Sequence, residues 1–187
     1  MQYFNHYIEI IMRLLLALTA TLLLNPAFGG ENILHIPVNT VDEKGTLAAI
    51  GEVSVSESPY GLVFTPALSG LPAGIHGFHI HENASCDPAQ KDGKPVAALA
   101  AGGHWDTEKT NRHAGPYGNG HIGDLPALYV SADGKASYPV LAPRLHTLNE
   151  IRGHALMLHL AGDNHADQPA ALGGGGARLA CGVIPKA

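Results

Sequence analysis

From residue 32 to residue 82, apolar and polar positions alternate over short spans, each closed by glycine or proline. Residues 32–38 alternate weakly. Residues 45–56 carry the β-branched Ile50, Val53 and Val55 and read as a strand. Pro59-Tyr60-Gly61 marks a turn, residues 62–68 form the next strand, and Leu71-Pro72-Ala73-Gly74 marks another turn. In a strand over residues 75–82, His76, Phe78 and Ile80 share one face, and Gly77, His79 and His81 share the other. If Phe78 and Ile80 face the core, His79 and His81 point outward together, as a two-nitrogen clamp for a metal.

Residues 83–126 show almost no strand signal. A loop that long inside a compact domain needs a functional reason to be ordered. Residues 127–131 and 136–141 then read as a hairpin around Asp133-Gly134. Residues 143–152 read as a connection. Residues 154–160 form a strand with Leu156, Leu158 and Leu160 toward the core, so that His154 lies on the core side and His159 on the other. A second long loop, 161–177, carries Asp163, His165, Asp167 and four glycines at 173–176, which read as flexible backbone. In the last strand, 178–184, Arg178 and Cys181 are an odd number of positions apart and fall on opposite faces. About eight short strands without alternating helices predict an all-β antiparallel barrel or sandwich with two long loops.

Composition narrows the function. The chain has 187 residues, enough for one domain, and 45% are apolar, enough for a sizeable core. Only 14% are charged, the formal net charge is -5 and no basic run occurs, so no nucleic-acid partner is expected. Residues 14–24 are nearly all apolar, too short for a comfortable membrane span, preceded by Arg13 and followed by the small Ala27 and Gly29. They read as a signal peptide over residues 1–29, leaving a domain over 30–187 with no stable membrane insertion after cleavage. The leading MQYFNHYIEI carries Glu9 and no positive charge, so Met12 is the alternative start. The even cysteine count, Cys86 and Cys181, suggests one disulfide in an exported chain, the alternative being two buried thiols.

The 12 histidines are the compositional anomaly. The stretch GGHWDTEKTNRHAGPYGNGHIGDLP, residues 102–126, has little to bury and cannot form its own core. It carries His104, His113, His121 and Asp124, the ligand types of a zinc site. His79, His81 and His159 have no place in a four-ligand site already filled by the loop, so they suggest a second metal. His35 and His146 read as structural.

Three segments in order, GFHIHENASC at 77–86, the loop at 102–126 and GGGGARLACGVI at 173–184, closely resemble copper/zinc superoxide dismutases of the bacterial exported type. The resemblance spans most of the chain after residue 32. It implies an eight-stranded Greek-key β-barrel. It also implies dismutation of superoxide to O₂ and hydrogen peroxide, with one copper and one zinc per subunit and a periplasmic location. Carried over, copper would be held by His79, His81, His104 and His159, and zinc by His104, His113, His121 and Asp124, with His104 bridging. Cys86 and Cys181 match the family disulfide, Arg178 the arginine that guides superoxide, and Asp163 a carboxylate that hydrogen-bonds ligands of both metals. Family members occur as monomers and dimers, so a homodimer stays open. Thr107 and His165 depart from common family residues; neither is a ligand position. Lys91, Lys94 and Lys109 are candidates for steering the anion, against a plain reading as solvated surface charge. A second function class is a non-enzymatic exported copper or zinc carrier of the same fold.

Overall fold

The structure, a computed structural model, describes residues 32–186. The signal-peptide reading of residues 1–29 lies outside the described residues. No helix among them is long and apolar enough to cross a membrane.

Strands β1 (Ile33–Asp42), β2 (Gly45–Ser58) and β3 (Gly61–Leu68) form an antiparallel meander where the alternation is strongest. Leu34, Ile36 and Val38 of β1 and Leu62, Phe64 and Leu68 of β3 turn inward. The segment over residues 75–82 is split at Gly77 into β4 (Gly74–His76) and β5 (Phe78–His81). The long loop is not free of strand: β6 (Ala89–Lys91) and β7 (Lys94–Val96) make a small hairpin in it. The remaining strands are β8 (Leu128–Val130), β9 (Val140–Ala142), β10 (Ala155–His159) and β11 (Arg178–Val183). Seven strands make one sheet in the order β5-β10-β11-β1-β2-β3-β9, and β4 pairs with β8.

That sheet closes on itself. Phe64 of β3 and Phe78 of β5 sit near its two ends, yet their rings meet edge-to-face with centroids 5.9 Å apart. The result is the antiparallel barrel expected of the alternation. Its interior holds Ile36, Val53, Phe64, Phe78, Ile80, Leu156 and Leu158, all with no exposed surface.

Two expectations about pairing and facing fail for identifiable reasons. The Asp133-Gly134 turn is present, with Gly134 donating to the Ser131 carbonyl at 2.9 Å. Its flanks do not pair with each other, because β8 goes to β4, Ala136 bridges to Leu68, and β9 goes to β3. A turn signal fixes the reversal of the chain and not the partners of the segments on either side. The second failure is in β11. Its register with β10 runs Leu158↔Ala180 and then His159↔Arg178, so Leu179 is an extra residue, a β-bulge. The bulge breaks the period of two. Arg178 and Cys181 therefore reach the same covering loop: Arg178 donates to the Ala98 carbonyl, and Cys181 joins a buried cluster with Ala98 and Ala101.

That second cluster also contains Val41, Cys86, Ala155 and Met157 and lies on the outside of the barrel wall. The loop over it is stapled by the Cys86–Cys181 disulfide, with Cα atoms 5.8 Å apart across 95 residues of sequence. Both faces of β5 and β10 are consequently buried. Leu160, expected in the core, is 52% exposed because β10 ends at His159.

Candidate metal centre

Strand β5 is the outer member of the main sheet, and the loop after it supplies its missing partner. Trp105 N donates to the Ile80 carbonyl at 2.9 Å, Ile80 N to the Gly123 carbonyl at 2.8 Å, and Glu82 N to the Gly103 carbonyl at 3.1 Å. These bonds bring about the pairings His79↔Asp124 and His81↔His104. Backbone pairing thus sets four candidate ligands side by side. Gly123 allows the approach, since a Cβ there would lie 2.2 Å from the Ile80 carbonyl oxygen. His79 and His81 leave the core-facing side of β5 as expected but are not outward in the sense of wet: the loops leave them 0% and 1% exposed.

Six of the seven candidate side chains fall in two overlapping groups, and His121 lies outside them, 3.3 Å from Asp124. His79, His81, His104 and His159 each offer a ligand atom within 4.8 Å of the others. His81 and His159 face each other through their Nε2 atoms at 3.3 Å, while their Nδ1 atoms donate to the carbonyls of Gly102 and Gly176 at 3.0 and 3.1 Å. Those outer bonds place a proton on each Nδ1, leaving two lone pairs opposed, an arrangement that a shared cation relieves. On the other side, Asp124 lies 2.9 Å from His104, 3.0 Å from His113 and 3.3 Å from His121. His104 belongs to both groups. Geometry alone also places His79 within reach of the Asp124 group. Its Nε2, however, donates to Asp163 Oδ2 at 2.6 Å, so a single nitrogen remains for one metal.

Asp163 ties the two groups together. Its other oxygen accepts from His113 Nε2 at 2.8 Å. His79 is then left with a buried Nδ1 that has no hydrogen-bond partner, while that of His113 faces Asp124 Oδ2 at 3.0 Å. Buried orphan nitrogens are costly unless satisfied. Such a nitrogen on a ring oriented by a carboxylate, amid further imidazoles, fits metal coordination.

Electrostatics separate the two sides. Burial lowers the His79 pKa to about 3, although its bond to Asp163 opposes the fall. Burial likewise takes His159 to about 4, holds His81 well below its ordinary 6.5 and lowers His104. His113 goes the other way: burial opposes its charge, but hydrogen bonds to Asp124 and Asp163 prevail and raise it to about 9. Burial favours the neutral form of both carboxylates, yet His104 and His113 hold Asp124 below the usual carboxylate range, and His113 and His79 do the same for Asp163.

These shifts make the protein stripped of metal sensitive to pH. Below the unfolded-state value of 6.5, the unfolded chain takes up protons that the folded His79, His81, His104 and His159 refuse, so stability falls with pH. Asp124 and Asp163 add stability present above their unfolded value of 3.8 and lost as pH falls further. His113 alone acts oppositely, its stabilisation being lost as pH rises from 6.5 through about 9. The melting temperature of the stripped protein is expected to fall steadily from pH 7 to pH 4. A rise over that range would contradict the neutral state of the four histidines.

A cavity of about 260 Å3 opens onto the four-histidine group, lined by His81, His104, His159, Lys91, Leu172 and Arg178 among others. Arg178 is half-buried and held rigidly: Nη1 donates to the Ala98 carbonyl at 2.6 Å and Nη2 to that of Gly102 at 2.5 Å. Of the three lysines considered for steering, Lys91 alone lines this opening.

The sequence profile of copper/zinc superoxide dismutases matches residues 49–184. The chain belongs to the copper/zinc superoxide dismutase family. A superoxide dismutase [Cu-Zn] 1 of Salmonella typhimurium is 58% identical over 173 residues, covering 92% of this chain and 98% of the relative. Among solved structures, the Cu/Zn superoxide dismutase from Brucella abortus superposes with a TM-score of 0.81 at 51% identity, covering 82% of this chain and 99% of its own. The monomeric copper, zinc superoxide dismutase from Salmonella enterica gives 0.75 at 55% identity, covering 82% and 99%.

Within this superoxide dismutase fold, several contributors escaped sequence reading because they act through backbone. The Gly102 carbonyl serves both His81 and Arg178. Asp167 Oδ2 accepts from the His113 amide at 2.9 Å and its Oδ1 from Leu172 at 3.3 Å, tying the 102–126 loop to the glycine run. That run is not slack. At Gly173, with φ +71°, a Cβ would lie 1.9 Å from Asp163 Oδ1 and 2.7 Å from His113 Nε2. His165 packs over Gly115, and its amide donates to Asp163 Oδ1 at 2.7 Å. Trp105 and His154 stack with centroids 4.2 Å apart, which makes His154 a loop anchor rather than a core residue.

Proposed function

We propose that copper is held by His79, His81, His104 and His159, and zinc by His104, His113, His121 and Asp124, in a bimetallic site whose open side is the Arg178 cavity. The enzyme is a superoxide dismutase and uses copper and zinc, as its family membership and close relatives establish. Those relatives favour the enzyme over the metal-carrier reading. The observation that supports the site assignment is the orphan Nδ1 of His79, buried among imidazoles on a ring that Asp163 orients, with Asp163 also holding His113.

When bound, copper supplies the one-electron exchange that disproportionation requires and that zinc cannot supply. The protein does the rest. Arg178 presents a permanently charged, rigid guanidinium at the opening, suited to a small oxyanion. Lys91 adds charge at the rim of a chain whose net charge is negative. Electrostatic guidance is a recognised property of superoxide dismutases. His104, with its Nδ1 on the Asp124 side, can take a proton at Nε2 and deliver it to the reduced oxygen species. Asp163 orients His79 and His113 so that neither ring can turn.

Export to the periplasm through residues 1–29 is part of this reading, supported by the apolar run at 14–24 and the Cys86–Cys181 disulfide. The name of the Salmonella enterica relative describes a monomer, which supports a monomer here over a homodimer.

The test is superoxide decay with the copper- and zinc-loaded protein at low and high salt. Arg178→Ala is expected to lower the bimolecular rate about tenfold and flatten its salt dependence, with both metals retained. Loss of copper from that variant would reassign Arg178 to holding the site. No decay by the wild-type protein with both metals bound would overturn the catalytic assignment.

A further inference from the structure

Arg144 lies just after β9 and reaches to the zinc-side loop. Its Nη1 donates to the Gly120 carbonyl at 3.0 Å, and its Nη2 donates to the carbonyl of His121. The next residue, Leu145, is fixed in the barrel: it is buried, and its carbonyl accepts from Leu62 of β3 at 2.7 Å. Arg144 therefore connects a rigid wall to two successive peptide carbonyls, a match for a planar guanidinium that a lysine cannot reproduce.

His121 is where such a connection matters. His104 is fixed by backbone pairing to β5, and His113 by Asp163 at its ring and Asp167 at its amide. His121 has a longer approach to Asp124, 3.3 Å, and an amide bond to the Arg112 carbonyl in the same loop. Beside this segment is a cavity of about 170 Å3, lined by Asp106, Glu108, Asn119, Ile122 and Arg144 among others. Packing does not press residues 118–122 into place from that side; Arg112 holds Asn119 from within the loop, and the two Arg144 hydrogen bonds tie Gly120 and His121 to the barrel.

We infer that Arg144 is a positioning residue for zinc, fixing the Gly120–His121 backbone so that the His121 ring meets the other zinc ligands. The inference rests on the assignment of His121 to zinc. Loss of the clamp lets the segment relax toward the cavity and weakens zinc selectively, because the copper set draws nothing from this loop segment.

The test uses the full chain loaded with copper and titrated with Zn²⁺ against a chromophoric chelator, for wild type, Arg144→Ala, Arg144→Lys and His121→Ala. Co²⁺ in place of zinc reports ligand geometry through its visible absorption. Arg144→Ala is expected to bind zinc about 10- to 100-fold more weakly, the usual cost of losing an outer orienting partner. Arg144→Lys should fall between it and wild type. Copper affinity should be unchanged, and the Co²⁺ bands of Arg144→Ala should shift. Wild-type zinc affinity and Co²⁺ bands in Arg144→Ala, with zinc lost in His121→Ala, would overturn the role of Arg144 and leave the ligand assignment standing. Equal weakening of copper and zinc would show general destabilisation and also overturn it. Zinc retained by His121→Ala would overturn the ligand assignment itself.

Discussion

His104→Ala is expected to remove dismutation and weaken both metal sites together. No other side chain belongs to both ligand groups with nitrogens to serve each: its Nδ1 lies 2.9 Å from Asp124, and it also falls within 4.8 Å of His79, His81 and His159. Losing an outer-sphere partner costs about 10- to 100-fold in metal affinity. Losing a shared direct ligand should exceed that at zinc and add a loss at copper, with catalysis falling below detection. Metal content by mass spectrometry and superoxide decay measured on the same sample check this. A variant that keeps full zinc and loses only copper would show that His104 is not shared. Arg178→Ala is the contrast, since it should slow the reaction and leave both metals in place.

Gly173→Ala should be nearly as damaging, although residue 173 is no ligand. The added methyl would stand 1.9 Å from Asp163 Oδ1 and 2.7 Å from His113 Nε2, within the hydrogen bond that orients His113. Either the 163–176 loop or the carboxylate must move, and Asp163 then releases rings on both sides of the site. Copper and zinc affinity should each drop by about 10- to 100-fold. Stability should fall by about 1–3 kcal/mol, part of it from forcing alanine to φ +71°. Gly174→Ala separates the two causes. It shares the positive φ, +79°, but its Cβ would meet only the Ala170 side chain at 3.4 Å. It should lose stability and keep its metals. Equal metal loss in the two variants would mean that backbone strain, and not the collision with Asp163, is responsible.

Side chains that act by their own chemistry were legible in the sequence. Imidazoles and carboxylates at the candidate ligand positions carry their meaning in residue type; six of the seven lie in two overlapping groups beside Asp163, and His121 lies next to Asp124. The alternation over β2 and β3 likewise revealed strands, because each has one wet face and one dry face. What failed was whatever depends on distant backbone. The Leu179 bulge reversed the facing of Arg178 relative to Cys181, and no local pattern announces an extra residue in a register. The flanks of Asp133-Gly134 found other partners because the closed barrel offered longer-range pairings. Arg144, Gly102 and Gly173 work through carbonyls and through the absence of a side chain, so nothing in their residue type pointed to the metals.

Strand β5 ends the main sheet, and among the described residues the segments around Gly103–Trp105 and Gly123–Leu125 occupy its outer row of amides and carbonyls. An unpaired edge is a template on which a second chain can add its own strand. The same turns that gather the ligands are thus a guard against self-association. Whatever loosens those turns would uncover that row as well as scatter the candidate ligands.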